Sequence, residues 1–156
     1  MKRLITSELP DSLMVLLAKD IVEKDFLSVP YGVTALEAAK QMKSSRHGFV
    51  VIVNAEGRPE GIVTEWDYLS KLVAEGKEPS KVRLEEIMST NLVTVKPNDE
   101  IDSVSQMMSE RGIRRVLVVE GDKVLGVITA RTVLGRLRDY INRVSTQIAR
   151  LQTPRL

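Results

Sequence analysis

The stretch Gly-Ile-Val-Thr-Glu-Trp-Asp at residues 61–67 decides the fold, because it returns 65 residues later as Gly-Val-Ile-Thr-Ala-Arg-Thr at residues 126–132. The match extends beyond this stretch, since Val-Val-Ile-Val at residues 50–53 corresponds to Val-Leu-Val-Val at residues 116–119. Self-similarity of this kind indicates one structural unit that occurs twice. Any site that the stretch builds is therefore expected as a related pair.

Length and composition are those of an ordinary globular protein, with 43% hydrophobic and 28% charged residues and a net charge of +2 over 156 residues. Each repeat has only about 60 residues, a size at which burial on folding is marginal, so the two repeats are expected to share a core. No run approaches the roughly 18 apolar residues of a membrane-spanning helix. No signal-peptide core follows residues 1–5, and we expect a cytoplasmic protein without membrane contact.

The supply of reactive side chains is small, because the chain has no cysteine and a single histidine, His47. Disulfides and thiolate metal sites are thereby excluded, and a metal site or catalytic triad built on histidine is disfavoured. Without a nucleophile or an acid–base pair, we expect no enzymatic activity, no metal site and no required cofactor.

Each repeat follows the same order of elements: a short helical turn, a brief extended piece, an amphipathic helix, two strands and a second helix. The predicted helices cover residues 34–45 and 100–111, and the predicted strands cover 49–53, 60–63, 115–119 and 124–128. The fold class is therefore α+β, with two βαββα repeats packed as a pseudo-two-fold pair and helical extensions at both ends. The predicted segments are an N-terminal extension at 1–14, repeat 1 at 15–75, a linker at 76–82, repeat 2 at 83–140 and a C-terminal helical extension at 141–156.

The two extensions carry apolar residues at helical spacing. Leu13, Leu16, Leu17 and Ile21 predict an N-terminal helix that packs back on the pair. The C-terminal residues Leu134, Leu137, Ile141, Val144, Ile148 and Leu151 are spaced 3, 4, 3, 4, 3, which is the seam of a coiled coil. A helix that lies on its own domain explains this seam equally well.

The C-terminal extension is also rich in arginine, which suggests a second function. Arg136, Arg143 and Arg150 recur every seven residues opposite the seam, as on a solvated outer face. Clustered arginines also neutralise phosphates, so a nucleic-acid-binding or transcription-associated protein is kept as the alternative. No recognisable nucleic-acid-binding motif accompanies them.

The repeated stretch has a structural and a functional interpretation. A strand that ends in Thr64 and continues into a helix places this threonine at the helix N-cap, and Asp67 completes a capping-box-like pair. Alternatively, the helix N-terminus favours a phosphate, and the carboxylate accepts hydrogen bonds from a ribose diol. Repetition in two equivalent units favours the functional interpretation.

The chain resembles the tandem cystathionine-β-synthase (CBS) domain pair, or Bateman module, over about residues 15–142. The resemblance rests on the paired turns Lys19–Val22 and Glu85–Met88, on the strands at 48–53 and 114–119, and on the two Gly-h-h-Thr-x-x-Asp/Thr stretches, where h is apolar. It implies a non-enzymatic sensor that binds an adenosine-containing ligand in clefts between the repeats and pairs into a homodimer, through its CBS helices and in addition its C-terminal helix.

The resemblance further implies two unequal clefts, and we call the one served by residues 61–67 the first cleft. In it Asp67 holds the ribose and Thr64 holds the ribose or a phosphate. The other repeat closes this cleft, with Thr94 and Ile113 beside the adenine and Arg114 and Arg131 on the phosphates.

The second cleft, served by residues 126–132, has Thr132 in place of the carboxylate. Thr129 is the counterpart of Thr64, and the crossing residues implied by the resemblance are Ser28, His47, Gly48 and Trp66, with Arg115 from its own repeat. A hydroxyl does not replace both acceptor sites of a carboxylate, so this site is expected to be weaker. Trp66 is interpreted as a packing residue rather than as a stacking partner of a base.

These inferences together predict a regulatory module that binds an adenine nucleotide. AMP is the first expectation, ADP and ATP are the alternatives, and a magnesium ion is expected only with a di- or triphosphate. The regulated partner protein is not identifiable from the sequence.

Overall fold

A computed structural model describes residues 15–152, and it contains the predicted elements in the predicted order. Repeat 1 is built from α1 (Ala18–Ile21), β1 (Ser28–Pro30), α2 (Ala35–Ser45), β2 (Phe49–Val53), β3 (Pro59–Thr64), α3 (Glu65–Asp67) and a π-helical turn (Tyr68–Val73). Repeat 2 is built from a 3₁₀ turn (Leu84–Glu86), β4 (Thr94–Val95), α4 (Ile101–Arg111), β5 (Arg115–Glu120), β6 (Lys123–Thr129) and α5 (Ala130–Gln152). The predicted α+β class is confirmed.

The two repeats form two three-stranded sheets of the same design, β1-β2-β3 and β4-β5-β6. In each sheet the first strand runs parallel to the second and the third runs antiparallel to it. Even the irregularities correspond, because the register shifts between Ile52 and Val53 in one sheet and between Val118 and Val119 in the other. The duplication read from the sequence is therefore a duplication of structure.

The start of the first amphipathic helix, α2, is determined by a capping box that can be recognised in the sequence. Thr34 accepts a hydrogen bond from the backbone N–H of Glu37, and the Glu37 carboxylate accepts from the backbone N–H of Thr34 at 2.9 Å. This reciprocal pair satisfies two backbone donors that an uncapped helix leaves open. The helix accordingly begins at Ala35.

The core of each repeat is completed by the short turn with which the other repeat begins. Leu84 and Ile87 are buried among the core side chains of repeat 1, whereas Ala18 and Ile21 are buried among those of repeat 2. We call these two segments, 18–21 and 84–87, the exchanged turns. A third apolar cluster, with Phe49 and Val51 from one sheet and Leu117 and Val127 from the other, joins the two sheets. The expectation of a shared core is thus confirmed.

The helices that follow the repeated stretch differ between the repeats. In repeat 1, α3 has three residues and widens into the π-helical turn, whereas in repeat 2 α5 runs unbroken from Ala130 to Gln152. The C-terminal extension predicted to start at residue 141 is therefore a continuation of the last repeat helix. No helix within residues 15–152 is long and apolar enough to cross a membrane.

The predicted seam of α5 is largely exposed. Leu134, Leu137, Ile141 and Ile148 are each at least half exposed, whereas Ala130 and Val133 pack against the core of repeat 2. The first turn of α5 thus lies on its own repeat, while most of the seam side chains remain exposed in the single chain. Leu13 lies outside the described residues, and the described part of the predicted N-terminal helix is helical only at Ala18–Ile21.

Candidate functional site

Asp67 is the one charged residue within 15–152 that is buried, with 5% of its surface exposed. Its Oδ2 accepts hydrogen bonds from the backbone N–H of Thr64 at 2.8 Å and from the Thr64 hydroxyl at 3.0 Å. Its Oδ1 lies 2.8 Å from Nζ of Lys71, one helical turn further along the chain. A buried carboxylate is costly unless it is paired and hydrogen-bonded, and these three contacts meet that requirement.

Lys71 also connects Asp67 to one of the exchanged turns. Its Nζ donates to the carbonyl oxygen of Ile87 at 2.6 Å while it pairs with the carboxylate. Arg136, at the equivalent position of repeat 2, likewise donates to a carbonyl of the other exchanged turn, that of Asp20, at 3.1 Å. Arg136 has no counterpart of the Asp67 carboxylate, because Thr132 occupies the equivalent position.

Asp67 lines a cavity of about 240 Å³ between the two repeats, which is the first cleft. Of the six residues that the resemblance implied for this cleft, the cavity wall contains Thr64, Asp67, Ile113 and Arg114. Thr94 and Arg131 are not part of the wall, and Val93 lines it beside Thr94. The full wall is Ile62, Thr64, Trp66, Asp67, Ser89, Asn91, Leu92, Val93, Ile113, Arg114, Arg115, Val116 and Leu117.

Arg115 and Trp66 lie on the wall of the first cleft, whereas the resemblance implied both for the second cleft. Trp66 lines the same cavity as Thr64 and Asp67. Arg115 starts β5 and reaches across to Glu65, with Nη2 3.2 Å from Oε2. Trp66 is 65% exposed, so it is not the packing residue that we expected.

The second cleft is organised around a contact that the sequence did not indicate. The hydroxyls of Thr129 and Thr132 lie 2.8 Å apart, and the Thr132 hydroxyl donates to Oε1 of Glu23 at 2.7 Å. Thr129 also accepts from the backbone N–H of Thr132 at 3.1 Å and so caps α5. The Glu23 carboxylate thus lies beside Thr132, the position at which the repeated stretch lacks a carboxylate of its own. Glu23 belongs to the segment after α1.

The remaining residues implied for the second cleft are not bonded to this threonine pair. His47 Nε2 lies 3.1 Å from the carbonyl oxygen of Asp25, and its Nδ1 is buried without a hydrogen-bond partner among the described residues. Ser28 is an exposed residue of β1, paired through the backbone with Val51. Within residues 15–152 there is no group of three histidine, cysteine or acidic side chains arranged to hold a metal ion.

The glycines of the two stretches permit close approach of the segments that follow the exchanged turns. A Cβ at Gly126 would collide with the backbone carbonyl oxygen of Glu23, whereas a Cβ at Gly61 would collide with the side chain of Met88. Glu23 exchanges two backbone hydrogen bonds with Val127, each of 2.9 Å. These contacts fix one wall of each cleft against the repeated stretch.

A wider groove of about 590 Å³ lies away from both stretches, between α4 and α5. Its wall includes the apolar residues Val15, Leu16, Ile101, Leu137 and Tyr140 and charged residues of both signs. Its size exceeds that of the first cleft, but it contains none of the residues of the two repeated stretches.

The sequence matches the CBS domain twice, over residues 18–74 and 84–139. An uncharacterised protein of Methanopyrus kandleri is 34% identical over 116 residues, which cover 74% of this chain and 59% of that relative. The chain spans only 23% of the L-aspartate semialdehyde sulfurtransferase of Methanocaldococcus jannaschii, to which it is 31% identical over 120 residues.

Solved structures share the arrangement of the two repeats. A conserved protein of Pyrococcus horikoshii superposes with a TM-score of 0.75 at 27% identity, covering 80% of this chain and 94% of that chain. A CBS domain pair in complex with 5′-methylthioadenosine and S-adenosyl-L-methionine has a TM-score of 0.70 at 31% identity, covering 80% of this chain and 97% of that one.

Proposed function

Because the chain belongs to the CBS domain family and carries two copies of that domain, we propose that it is a non-enzymatic regulatory module that binds an adenine nucleotide in its first cleft. AMP is the proposed ligand, with ADP and ATP as alternatives. The observation that carries the proposal is Asp67, a buried carboxylate on the wall of a cavity between the repeats. The structurally similar CBS domain pair in complex with 5′-methylthioadenosine and S-adenosyl-L-methionine supports an adenosine-containing ligand.

Asp67 is proposed to accept the ribose hydroxyls. Two carboxylate oxygens offer about four acceptor positions, and Thr64 and Lys71 occupy three of them. A diol that donates twice therefore has to replace one present contact. The Thr64 hydroxyl rotates freely about its C–O bond, and the Lys71 ammonium has a second acceptor in the Ile87 carbonyl.

The base and the phosphate are assigned to the opposite wall. Val93, Ile113 and Leu92 offer apolar surface for an adenine ring, which stacks and packs without needing a charge. Arg114 is exposed on the same wall and is proposed to bind the phosphate through charge-assisted hydrogen bonds. Thr94 and Arg131 remain proposed ligand residues that would have to move towards the cavity.

A signal requires that the ligand bind one conformation better than another. We propose that the contact of Lys71 provides this difference, because a ribose that competes for Asp67 changes how Lys71 holds the exchanged turn at Ile87. That turn belongs to the core of repeat 1 although it begins repeat 2. A change at the ligand is thereby passed to the way in which the two repeats pack.

The test uses the single tryptophan of the chain, which lies on the wall of the first cleft. AMP, ADP, ATP and S-adenosylmethionine are titrated separately, with Trp66 fluorescence and isothermal calorimetry as readouts. We expect Asp67→Asn to weaken AMP binding by about tenfold or more, since a hydrogen bond to a charged group contributes about 1.5–3 kcal/mol. The control Asp102→Asn removes the same charge from an exposed position on α4 and should bind like the wild type.

Two results would refute the assignment. One is that none of the four ligands binds, and the other is that Asp67→Asn binds AMP as tightly as the wild type does. Circular dichroism of each variant shows whether a loss of binding reflects a loss of fold.

We further propose that the module forms a homodimer through its helices. Apolar side chains are exposed on the helical segment after β3 and on α5, among them Leu69, Val73, Leu134 and Ile141. The nucleic-acid alternative has less support, because Arg136 donates to the Asp20 carbonyl and Arg138 pairs with Asp139 at 3.2 Å. Both guanidinium groups are thus already engaged within the protein.

A further inference from the structure

The two arginines on the wall of the first cleft are in different states. Arg114 is exposed, and its guanidinium has no ion pair or hydrogen bond with any residue in the described part of the chain. Arg115 is held, because its Nη2 lies 3.2 and 3.4 Å from the two carboxylate oxygens of Glu65. Its guanidinium also lies 5.2 Å from the centre of the Phe49 ring, and its side chain is only 20% exposed.

The charges of the first cleft therefore cancel in pairs. Lys71 offsets Asp67, and Glu65 offsets Arg115, so Arg114 remains as the uncompensated positive charge on the cavity wall, which does not include Arg131. A nucleoside monophosphate carries about two negative charges near neutral pH, and each further phosphate adds about one more. One free cation matches the smallest member of this series best.

Glu65 is not required by the fold of the repeated stretch. Ala130 occupies the equivalent position of the second copy, and α5 begins there without a carboxylate. The structure also leaves space for the Glu65 side chain at Gly48, where a Cβ would collide with its carboxylate. The pair with Arg115 is thus a feature of this cleft rather than of the motif.

We propose that Glu65 is the residue that restricts the first cleft to a monophosphate, by keeping Arg115 in a neutral ion pair. This inference rests on the proposed function, and it specifies the phosphate number that the motif leaves open. Loss of the Glu65 charge frees Arg115 to meet the second and third phosphates. The preference for AMP over ATP is then an electrostatic property that one side chain sets.

The experiment compares Glu65→Gln with the wild type in titrations of AMP, ADP and ATP without magnesium and at low salt. Glutamine keeps the shape of the side chain and removes its charge. We expect the ratio of ATP to AMP affinity to rise about fivefold to tenfold, the size expected for one unit charge acting on two further charges about 6–8 Å away in water. Glu56→Gln, in the exposed turn between β2 and β3, is the matched control and should leave the ratio unchanged.

Salt and magnesium separate this electrostatic effect from a change of shape. The gain in Glu65→Gln should shrink at 0.5 M salt, where screening acts over a few ångströms, and with magnesium, which neutralises part of the ATP charge. An unchanged ratio in Glu65→Gln, or a wild type that prefers ATP, would overturn the inference. If AMP binds and Asp67→Asn abolishes the binding, either of these results leaves the proposed function intact.

Discussion

Alanine at the two equivalent glycines, Gly126 and Gly61, should cost very different amounts of stability. Neither glycine has a positive φ, so alanine is acceptable to the backbone at both positions. At Gly126 the new methyl group meets the backbone carbonyl of Glu23, whereas at Gly61 it meets the side chain of Met88. A methionine side chain has three rotatable bonds and adapts, but a hydrogen-bonded backbone moves only as a whole.

The magnitude follows from what has to move. Insertion of a methyl group into a packed contact costs about 1–3 kcal/mol. Displacement of Glu23 also weakens the two backbone bonds that it exchanges with Val127, each worth about 1 kcal/mol. Replacement of glycine by alanine returns about 0.4–1 kcal/mol through the unfolded state. We therefore expect Gly126→Ala to lose about 2–4 kcal/mol and Gly61→Ala to lose less than about 1.5 kcal/mol.

Urea denaturation followed by far-UV circular dichroism measures both variants against the wild type. A shift of the midpoint at constant slope reports a change in stability rather than in the denatured state. The reasoning is refuted if the two variants differ by less than about 0.5 kcal/mol, within the usual effect of a neutral surface change, or if Gly61→Ala is the less stable one.

Two further predictions concern Tyr68 and α5. Burial raises the pKa of Tyr68 to about 12, and its hydroxyl donates to the Ala35 carbonyl at 2.7 Å. As the pH rises, the unfolded chain therefore loses the Tyr68 proton before the folded chain does, so stability should fall from about pH 10 towards pH 12. Tyr68→Phe should show a smaller fall in melting temperature over that range. An equal fall in the variant and the wild type would contradict the assignment. Ile141→Glu on the exposed face of α5 should lower the oligomer mass in light scattering, whereas Asn142→Glu, one residue further round the helix, should not; equal masses for both would count against a helix-mediated dimer.

The repeat explains why so much of the fold was predictable from the sequence. Helix starts such as that at Thr34 are set by neighbouring residues, so they can be read without knowledge of the tertiary structure. The strands are apolar runs of the expected length, and each run in repeat 1 has a corresponding run in repeat 2. The π-helical turn at Tyr68–Val73 was not predicted, because the periodicity of its apolar residues does not distinguish it from an α-helix.

The site was less predictable, because its side chains meet across long sequence distances. Arg115 lies on the wall of the first cleft although the resemblance implied it for the second, and its partner Glu65 lies 50 residues earlier in the chain. The link from Thr132 to Glu23 spans 109 residues, and no motif encodes it. Residues within the repeated stretch, Thr64 and Asp67, were correctly recognised as a bonded pair because both lie on one turn.

The exchanged turns also determine which piece of this chain can exist alone. A fragment that ends before residue 76 carries Ala18 and Ile21, which its own core does not use, and lacks Leu84 and Ile87, which its core needs. A chain with one repeat would therefore complete its core only if two molecules exchanged these turns. Duplication places both turns and both cores in the same polypeptide. The linker between the repeats then gives each turn a high effective concentration at the core that it completes, so the exchange does not depend on the protein concentration.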